Sequence, residues 1–523
     1  MRPIRFAAAF AFVLILCTSL SGTEPSKATR RWWSHVQALA DDRMEGRDTG
    51  SEGHARAARY VAREFERAGL KPAGEGGYLQ SVPLRVVRLR PDAPNRFYFF
   101  QQLRSSYDSG VVLVRPPNNQ YLLRWLHEIT ITTLPGLPAE INAGLVFAGS
   151  DPQPPPGLDV RGKILVRLGA PVGTAAANRP APPLPAGVVG TLSIDNLSGP
   201  ERRRWPVAYS VNMALASSVP NPNPRPAFFL NPAVAEELFK SSDHTYAELR
   251  QLYDDERPLP WFELPVAFRA VLSFDQSNIS SENVLAVLPG SDPVLSNEYV
   301  VVSAHLDGYG FGEPIGGDRL YNGAFDDAAY VATLIDLAQT LHESGVRLRR
   351  SLLFAVVTGE EKGLLGSAYY VAHPTVPKDR IVANINLDQL RPLFPLKILT
   401  MVALNESTLG DTARRVAEPM GIRIQPDPEP DRNLIRRSDH YNFMQIGVPA
   451  AGFVFGYENG SPEERIYRRW YADRYHSPSD DLQQPWDPDA ADKFNQFFGR
   501  LVAAVANDDE RPQWKVGSAF RAR

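Results

Sequence analysis

The chain has 523 residues, 43% hydrophobic and 22% charged, the proportions of a globular protein long enough to bury a large core and to divide into two domains. A formal net charge of −3 and a pI of about 6.3, with no run of Lys or Arg, exclude the electrostatic footprint of a nucleic-acid binder. At the N-terminus, Arg2 and Arg5 precede an apolar stretch from Phe6 to Leu16 and the small-residue segment Thr18-Ser19-Leu20-Ser21-Gly22. This is the tripartite pattern of a secretory signal. Residues 1–21 are expected to be cleaved after Ser21, leaving a secreted or periplasmic chain. The stretch is shorter than the roughly 20 residues a membrane-spanning helix needs, so no span is expected in the mature chain. The single cysteine, Cys17, lies inside this segment. Lipoprotein processing there is the alternative, but Leu16 occupies a place where such sites want a small residue. After cleavage at Ser21 no thiol remains, and stability must come from core burial.

Residues 28–72 carry apolar positions at helical steps, Trp32, Trp33, Val36 and Leu39, then Ala57, Val61, Phe65 and Ala68, and Gly69 stops the second helix. From 118 to 275 the pattern changes to short β-rich runs, such as Gly144-Leu145-Val146-Phe147-Ala148, separated by proline-rich loops. No cluster of titratable residues stands out in that span. After Asn283 strand and helix alternate: Tyr299–Ala304, a helix from about Asp327 to Leu341, Ser351–Val357, and on to Phe455. Such alternation implies a doubly wound α/β core. The β-rich segment is then an insertion between the first helices and the main sheet, and residues 509–523 read as a polar tail.

Acids and histidines stand where these apolar runs end. His305 and Asp307 close Tyr299–Ala304, Glu360 and Glu361 follow Leu352–Gly359, and Asp388 follows Ile381–Leu387. Asp326, Asp327 and His476 complete the set. Each alone is weak, because Glu-Glu is commonly a solvated turn and a lone histidine commonly a packing residue. Their shared context carries the argument. Continuous apolar runs are strands buried on both faces, and α/β sheets bind ligands beyond the carboxyl ends of such strands, so these side chains are expected to converge on one rim.

The strings Ala304-His305-Leu306-Asp307, Asn322-Gly323-Ala324-Phe325-Asp326-Asp327, Thr358 to Ser367, Ile385-Asn386-Leu387-Asp388, Ser438-Asp439-His440 and Tyr475-His476-Ser477-Pro478-Ser479-Asp480 resemble, in order, the motifs of the M28 family of zinc peptidases. The helical opening with Gly46-Arg47 and Gly50-Ser51 resembles the start of such enzymes, and the inserted segment looks like a protease-associated (PA) domain. The resemblance implies a zinc-exopeptidase domain in two pieces, 28–117 and 276–508, with the PA-like domain at 118–275 between them.

It also implies a cofactor of two zinc ions. Asp326 would bridge them, since a carboxylate can give one oxygen to each of two ions roughly 3.5 to 4 Å apart. His305 and Asp388 would complete one ion's set, Glu361 and His476 the other's. Asp307 would take the His305 N–H and fix the ring, Glu360 would be the general base, and Tyr475 would donate to the oxyanion. A cis peptide is expected between Asp326 and Asp327. Asp439 and His440 read as wall or supporting residues, whereas His35, His54, His127, His244, His342 and His373 read as surface or structural. Phe325 and Ala329-Tyr330 depart from the common pattern without removing a ligand. Arg391 also departs, and would either read a substrate carboxylate or pair with an acid.

The leading function is removal of N-terminal residues from a peptide substrate. The alternatives are a single-zinc glutaminyl cyclase on the same fold, a carboxypeptidase or dipeptidase, and a non-catalytic binding protein, which should have lost ligands. Oligomeric state is not legible.

Overall fold

A computed structural model describes residues 25–90, 92–101, 120–169, 184–195, 203–240 and 242–521. The signal segment 1–21, its cleavage site and Cys17 lie outside the described residues. Among those residues no helix is long and apolar enough to cross a membrane.

The expected opening helices form at Lys27–Leu39 and Glu52–Arg67, with the hydroxyls of Ser26 and Ser51 accepting the N–H of Thr29 and His54 at their N-termini. Trp32, Val36, Leu39, Val61 and Phe65 are fully buried. They pack with the helices Ala329–Ser344 and Pro488–Asn507 onto one face of a ten-stranded sheet. Shorter helices, Leu365–Ala372 and His440–Gln445, cover the opposite face through Tyr370, Phe443 and Met444. Both faces are therefore dry, which is why the strand sequences are apolar throughout rather than alternating.

From one edge the sheet runs Arg423–Gln425, Ile398–Val402, Ala450–Phe455, Ile381–Leu387, Tyr299–His305, Ser351–Val357, Phe274–Leu288, Leu79–Leu89 and Val211–Leu215, with the tenth strand, Lys71–Pro72, pairing to Phe274–Leu288 off this path. Tyr299–His305 lies between Ser351–Val357 and Ile381–Leu387, parallel to both. Their carboxyl ends thus emerge side by side. Phe274–Leu288 pairs antiparallel with Ser351–Val357 and Leu79–Leu89, and Ile398–Val402 antiparallel with Ala450–Phe455 but parallel with Arg423–Gln425, giving a mixed, doubly wound α/β sheet.

A second, eight-stranded sheet has its own core, built around Phe97, Phe147, Phe228 and Phe268. It recruits Arg96–Gln101, ahead of residue 118, while Val211–Leu215, inside the 118–275 span, leaves to pair with Leu79–Leu89 on the edge of the main sheet. The two sheets are joined by Leu79–Leu89 and Phe274–Leu288, which pair antiparallel without a register shift from Leu89 opposite Phe274 to Leu79 opposite Val284. The described part of the segment expected to be a polar tail is folded against the body built on the main sheet. Trp514 stacks on Phe520 and donates to the Gly447 carbonyl, and Arg511 pairs with Glu298. The reason is the two aromatic rings, which find apolar surface beside Ile446 and Ala403.

Candidate metal centre

His305 is the last residue of its strand, and Glu360, Glu361 and Asp388 lie just beyond the ends of the two neighbouring strands. Asp326 arrives from the turn Ala324–Ala328. Gly323 opens that turn at φ +61°, where a β-carbon would lie 2.4 Å from the Asp326 carbonyl oxygen, so only glycine fits. The Asp326–Asp327 peptide is cis.

Asp326 stands between two histidines. Its Oδ1 is 3.2 Å from Nε2 of His305, and its Oδ2 is 3.5 Å from Nε2 of His476. Asp388 Oδ1 lies 3.7 Å from the His305 nitrogen, and Glu361 Oε2 lies 3.2 Å from the His476 nitrogen. In each of the triads His305, Asp326, Asp388 and Asp326, Glu361, His476, the potential ligand atoms fall within 4.8 Å of one another. Nε2 of His305, Oδ2 of Asp326, Oε1 of Glu361 and Oδ1 of Asp388 are buried without a hydrogen-bond partner. Buried polar atoms are costly when unpaired. Nitrogen and carboxylate oxygen donors arranged in this way suit divalent cations, so each triad could hold one.

The charge balance agrees with that fit. Burial opposes protonation of His305, yet Asp327, Asp326 and Asp388 hold its imidazole well above the usual range. Burial likewise disfavours the charged form of His476, but Glu361 and Asp326 raise it to about 9. Burial, with Asp388 and Glu361 adding repulsion, pushes the Glu360 carboxyl well up against the attraction of His305. The site holds an excess of acid that positive charge would offset.

Around these groups lies a shell that sequence reading caught only in part. Asp307 does not orient His305 through its carboxylate, which is 3.8 Å from Nδ1. Its main-chain carbonyl sits 3.0 Å from that nitrogen instead. The carboxylate accepts from the Thr49 hydroxyl and from the backbone N–H groups of Glu360 and Glu361, at 3.0, 3.0 and 3.3 Å. It therefore shapes the turn that aims both glutamates. Asp327 accepts from the backbone of His305 and Gln389, each at 3.2 Å, and clamps two strand ends together. Tyr309 was not anticipated. Its hydroxyl is 3.0 Å from Nδ1 of His476, a contact made across 167 residues with no local signal. His476 itself sits at φ +50°, in the left-handed region, a conformation that accumulates at functional positions.

The centre opens into a cleft of about 380 Å³ whose walls include Tyr309, Arg437, His440, Phe453, Tyr471 and Tyr475. The Tyr475 ring stacks on His476 with centroids 3.6 Å apart. The Tyr471 hydroxyl is engaged instead with Gln389, at 2.8 Å. His440 is buried in the wall and neutral, its pKa lowered to about 4 by burial, and Asp439 accepts from Ser367. Arg391 neither reads the cleft nor pairs with an acid. It is fully buried, with its guanidinium 4.4 Å from the rings of Tyr467 and Tyr471 and 5.1 Å from Trp470. Stacking on aromatic faces replaces the carboxylate that sequence reading supplied. A second groove of about 470 Å³ adjoins the cleft, bounded by Arg204, Trp205 and Pro206 on one side and Tyr471, Tyr475 and His476 on the other.

The fold is a mixed, doubly wound α/β sheet with histidine and acid side chains gathered on its carboxyl rim. Residues 283–502 match Peptidase family M28. Leupeptin-inactivating enzyme 1 of Streptomyces exfoliatus is 27% identical over 185 residues, covering 35% of this chain and 38% of that protein. The chain thus spans well under half the length of that curated relative. An aminopeptidase from Aneurinibacillus sp. strain AM-1 shares the fold with a TM-score of 0.58 and 18% identity, over 92% of this chain and 95% of that one. So does BSAP, a zinc aminopeptidase from Bacillus subtilis, with a TM-score of 0.54 and 16% identity over 92% and 96%.

Proposed function

We propose that this chain is a two-zinc exopeptidase that removes N-terminal residues from peptides after export from the cell. The observation that carries the reading is Asp326, whose two carboxylate oxygens face separate histidines at 3.2 and 3.5 Å. His305 and Asp388 would hold one ion with it, and Glu361 and His476 would hold the other. When bound, zinc would polarise the scissile carbonyl and increase the acidity of water. Glu360 takes the proton of the attacking water and returns it to the leaving amine, a role suited to a carboxyl whose pKa burial has raised well above the usual carboxylate range. Asp307 keeps Glu360 and Glu361 apart and correctly aimed by binding both of their backbone N–H groups. Tyr475, beside His476 on the cleft wall, donates to the oxyanion of the tetrahedral intermediate.

The segment 118–275 is read as a PA-like domain that overhangs the cleft. Arg204 supports this, because it donates to the carbonyls of Tyr475 and Ala472 at 3.1 and 2.7 Å. The test is hydrolysis of paired peptides, free and N-acetylated, by zinc-loaded protein. Cleavage of the free peptides alone supports the aminopeptidase reading. Cleavage that ignores the block, or proceeds from the C-terminus, overturns it.

A further inference from the structure

We propose that Tyr309 is a positioning residue for His476, and that Tyr209, from the segment carrying the second sheet, holds Tyr309 in place through Lys362. The proposal rests on the two-metal reading above.

His476 turns Nε2 towards Asp326 and Glu361, and its other nitrogen faces the Tyr309 hydroxyl at 3.0 Å. An imidazole that gives the Nε2 lone pair to a metal keeps its proton on Nδ1. In the metal-holding state Nδ1–H therefore donates and the Tyr309 oxygen accepts. A phenol turned to donate instead leaves the proton on Nε2 and removes a ligand. The setting of Tyr309 thus selects the tautomer of His476.

Lys362, the residue after Glu361, fixes that setting. Its side chain is only 4% exposed. Its ammonium lies 2.9 Å from Asp48 Oδ1, 2.7 Å from the Tyr209 hydroxyl and 3.3 Å from the Gly308 carbonyl, which occupies its three hydrogens. The same ammonium stands 4.9 Å from the centre of the Tyr309 ring and 5.2 Å from that of Tyr209. A buried cation against two aromatic faces attracts both, and the rings themselves meet at 5.7 Å. Tyr209 closes the network by donating to Asp48 at 3.3 Å. It lies just ahead of the edge strand Val211–Leu215, so the second-sheet segment is linked to a candidate ligand through two side chains.

The test is competitive zinc titration against a chromophoric chelator, with melting temperatures measured alongside, for the wild-type chain and single variants. Tyr309→Phe should weaken one of two zinc equivalents by about 10–100-fold, the effect typical of losing a partner behind a ligand, and leave the other unchanged. Tyr209→Phe should weaken the same equivalent by a smaller factor, and Tyr309→Gln, which restores an acceptor oxygen, should recover part of the loss. Tyr321→Phe is the control: its ring is 6.1 Å from Tyr309, but its hydroxyl donates to the Glu313 carbonyl, so both equivalents should stay at wild-type affinity. Wild-type affinity at both sites in Tyr309→Phe, or equal weakening of both with a lower melting temperature, overturns the proposal. A wild-type chain that binds fewer than two equivalents overturns the metal reading beneath it, and shows this without any variant.

Discussion

The carboxylate of Asp480 lies 3.0 Å from the backbone nitrogens of both Phe325 and Asp326. The loop that delivers His476 therefore also grips the turn that delivers Asp326, and the two sides of the site are built as one unit. Gln484 holds the carboxylate from behind, at 2.5 Å. Asp480→Asn places an amide where two buried N–H groups need an acceptor, and should cost about 1–3 kcal/mol of stability. Denaturant unfolding of the metal-free protein reads this, and an unchanged midpoint would show that the grip is dispensable.

Glu360→Gln keeps the shape of the side chain but cannot accept a proton. Turnover should fall by roughly 10²–10⁴-fold, with zinc content near that of the wild type. Zinc content by metal analysis and kcat on one peptide substrate decide it. Appreciable activity in the loaded variant would assign the base to another group.

Arg391→Met removes a buried cation from its cage of Tyr467, Trp470 and Tyr471. Because the guanidinium does not reach the cleft, the ratio of kcat/KM for acidic and neutral peptides should be the same in variant and wild type. A selective loss on acidic substrates would restore Arg391 as a specificity group.

Asp195 belongs to the second sheet. Burial raises its pKa from 3.8 to about 6, against the opposing pull of Arg203. A folded-state value above the unfolded one means that the folded chain binds the extra proton. This contribution is complete below the unfolded value and is lost as pH rises through about 6. Relative to Asp195→Asn, the wild type should lose about 3 kcal/mol between pH 4 and pH 7. Parallel unfolding curves for the pair across that range would remove the assignment.

The second sheet can be tested as a cover over the cleft. Leu89 and Phe274 are direct partners across an antiparallel pair, so an Asn-Gly turn in place of residues 90–273 should close a hairpin there. The shortened chain, which also loses Tyr209 and the edge strand Val211–Leu215, should still bind zinc, with one equivalent weakened as in Tyr209→Phe, and should gain activity on long peptides relative to dipeptides. An unchanged ratio would reject the covering role.

Three of the donors stand out in the sequence because they lie at the ends of strands buried on both faces, so an apolar run points straight to the polar residue after it. His305, Glu361 and Asp388 were found in this way. Tyr309, Tyr209 and Lys362 carry no such mark. Their partners lie far away in the chain, and a tyrosine between two glycines, as Tyr309 is, or between an alanine and a serine, as Tyr209 is, fits many loops equally well. The role of Asp307 was misassigned for a related reason: alternation along a strand tells which side a carboxylate faces, but not that a backbone carbonyl two residues from the histidine gets there first. Val211–Leu215 was hidden because an edge strand that leaves one sheet for another looks like any short β run.

The unbroken pairing of Leu79–Leu89 with Phe274–Leu288 also constrains how this chain can vary. Side chains alternate between the faces of a strand, so adding or losing a single residue in either arm would turn every later side chain to the wrong face. Changes of two residues, made in both arms together, preserve the facing. Length variation among proteins built on this plan should therefore come in matched even steps along the ribbon, whereas the loops beyond Leu89 and before Phe274 are free to change by any number.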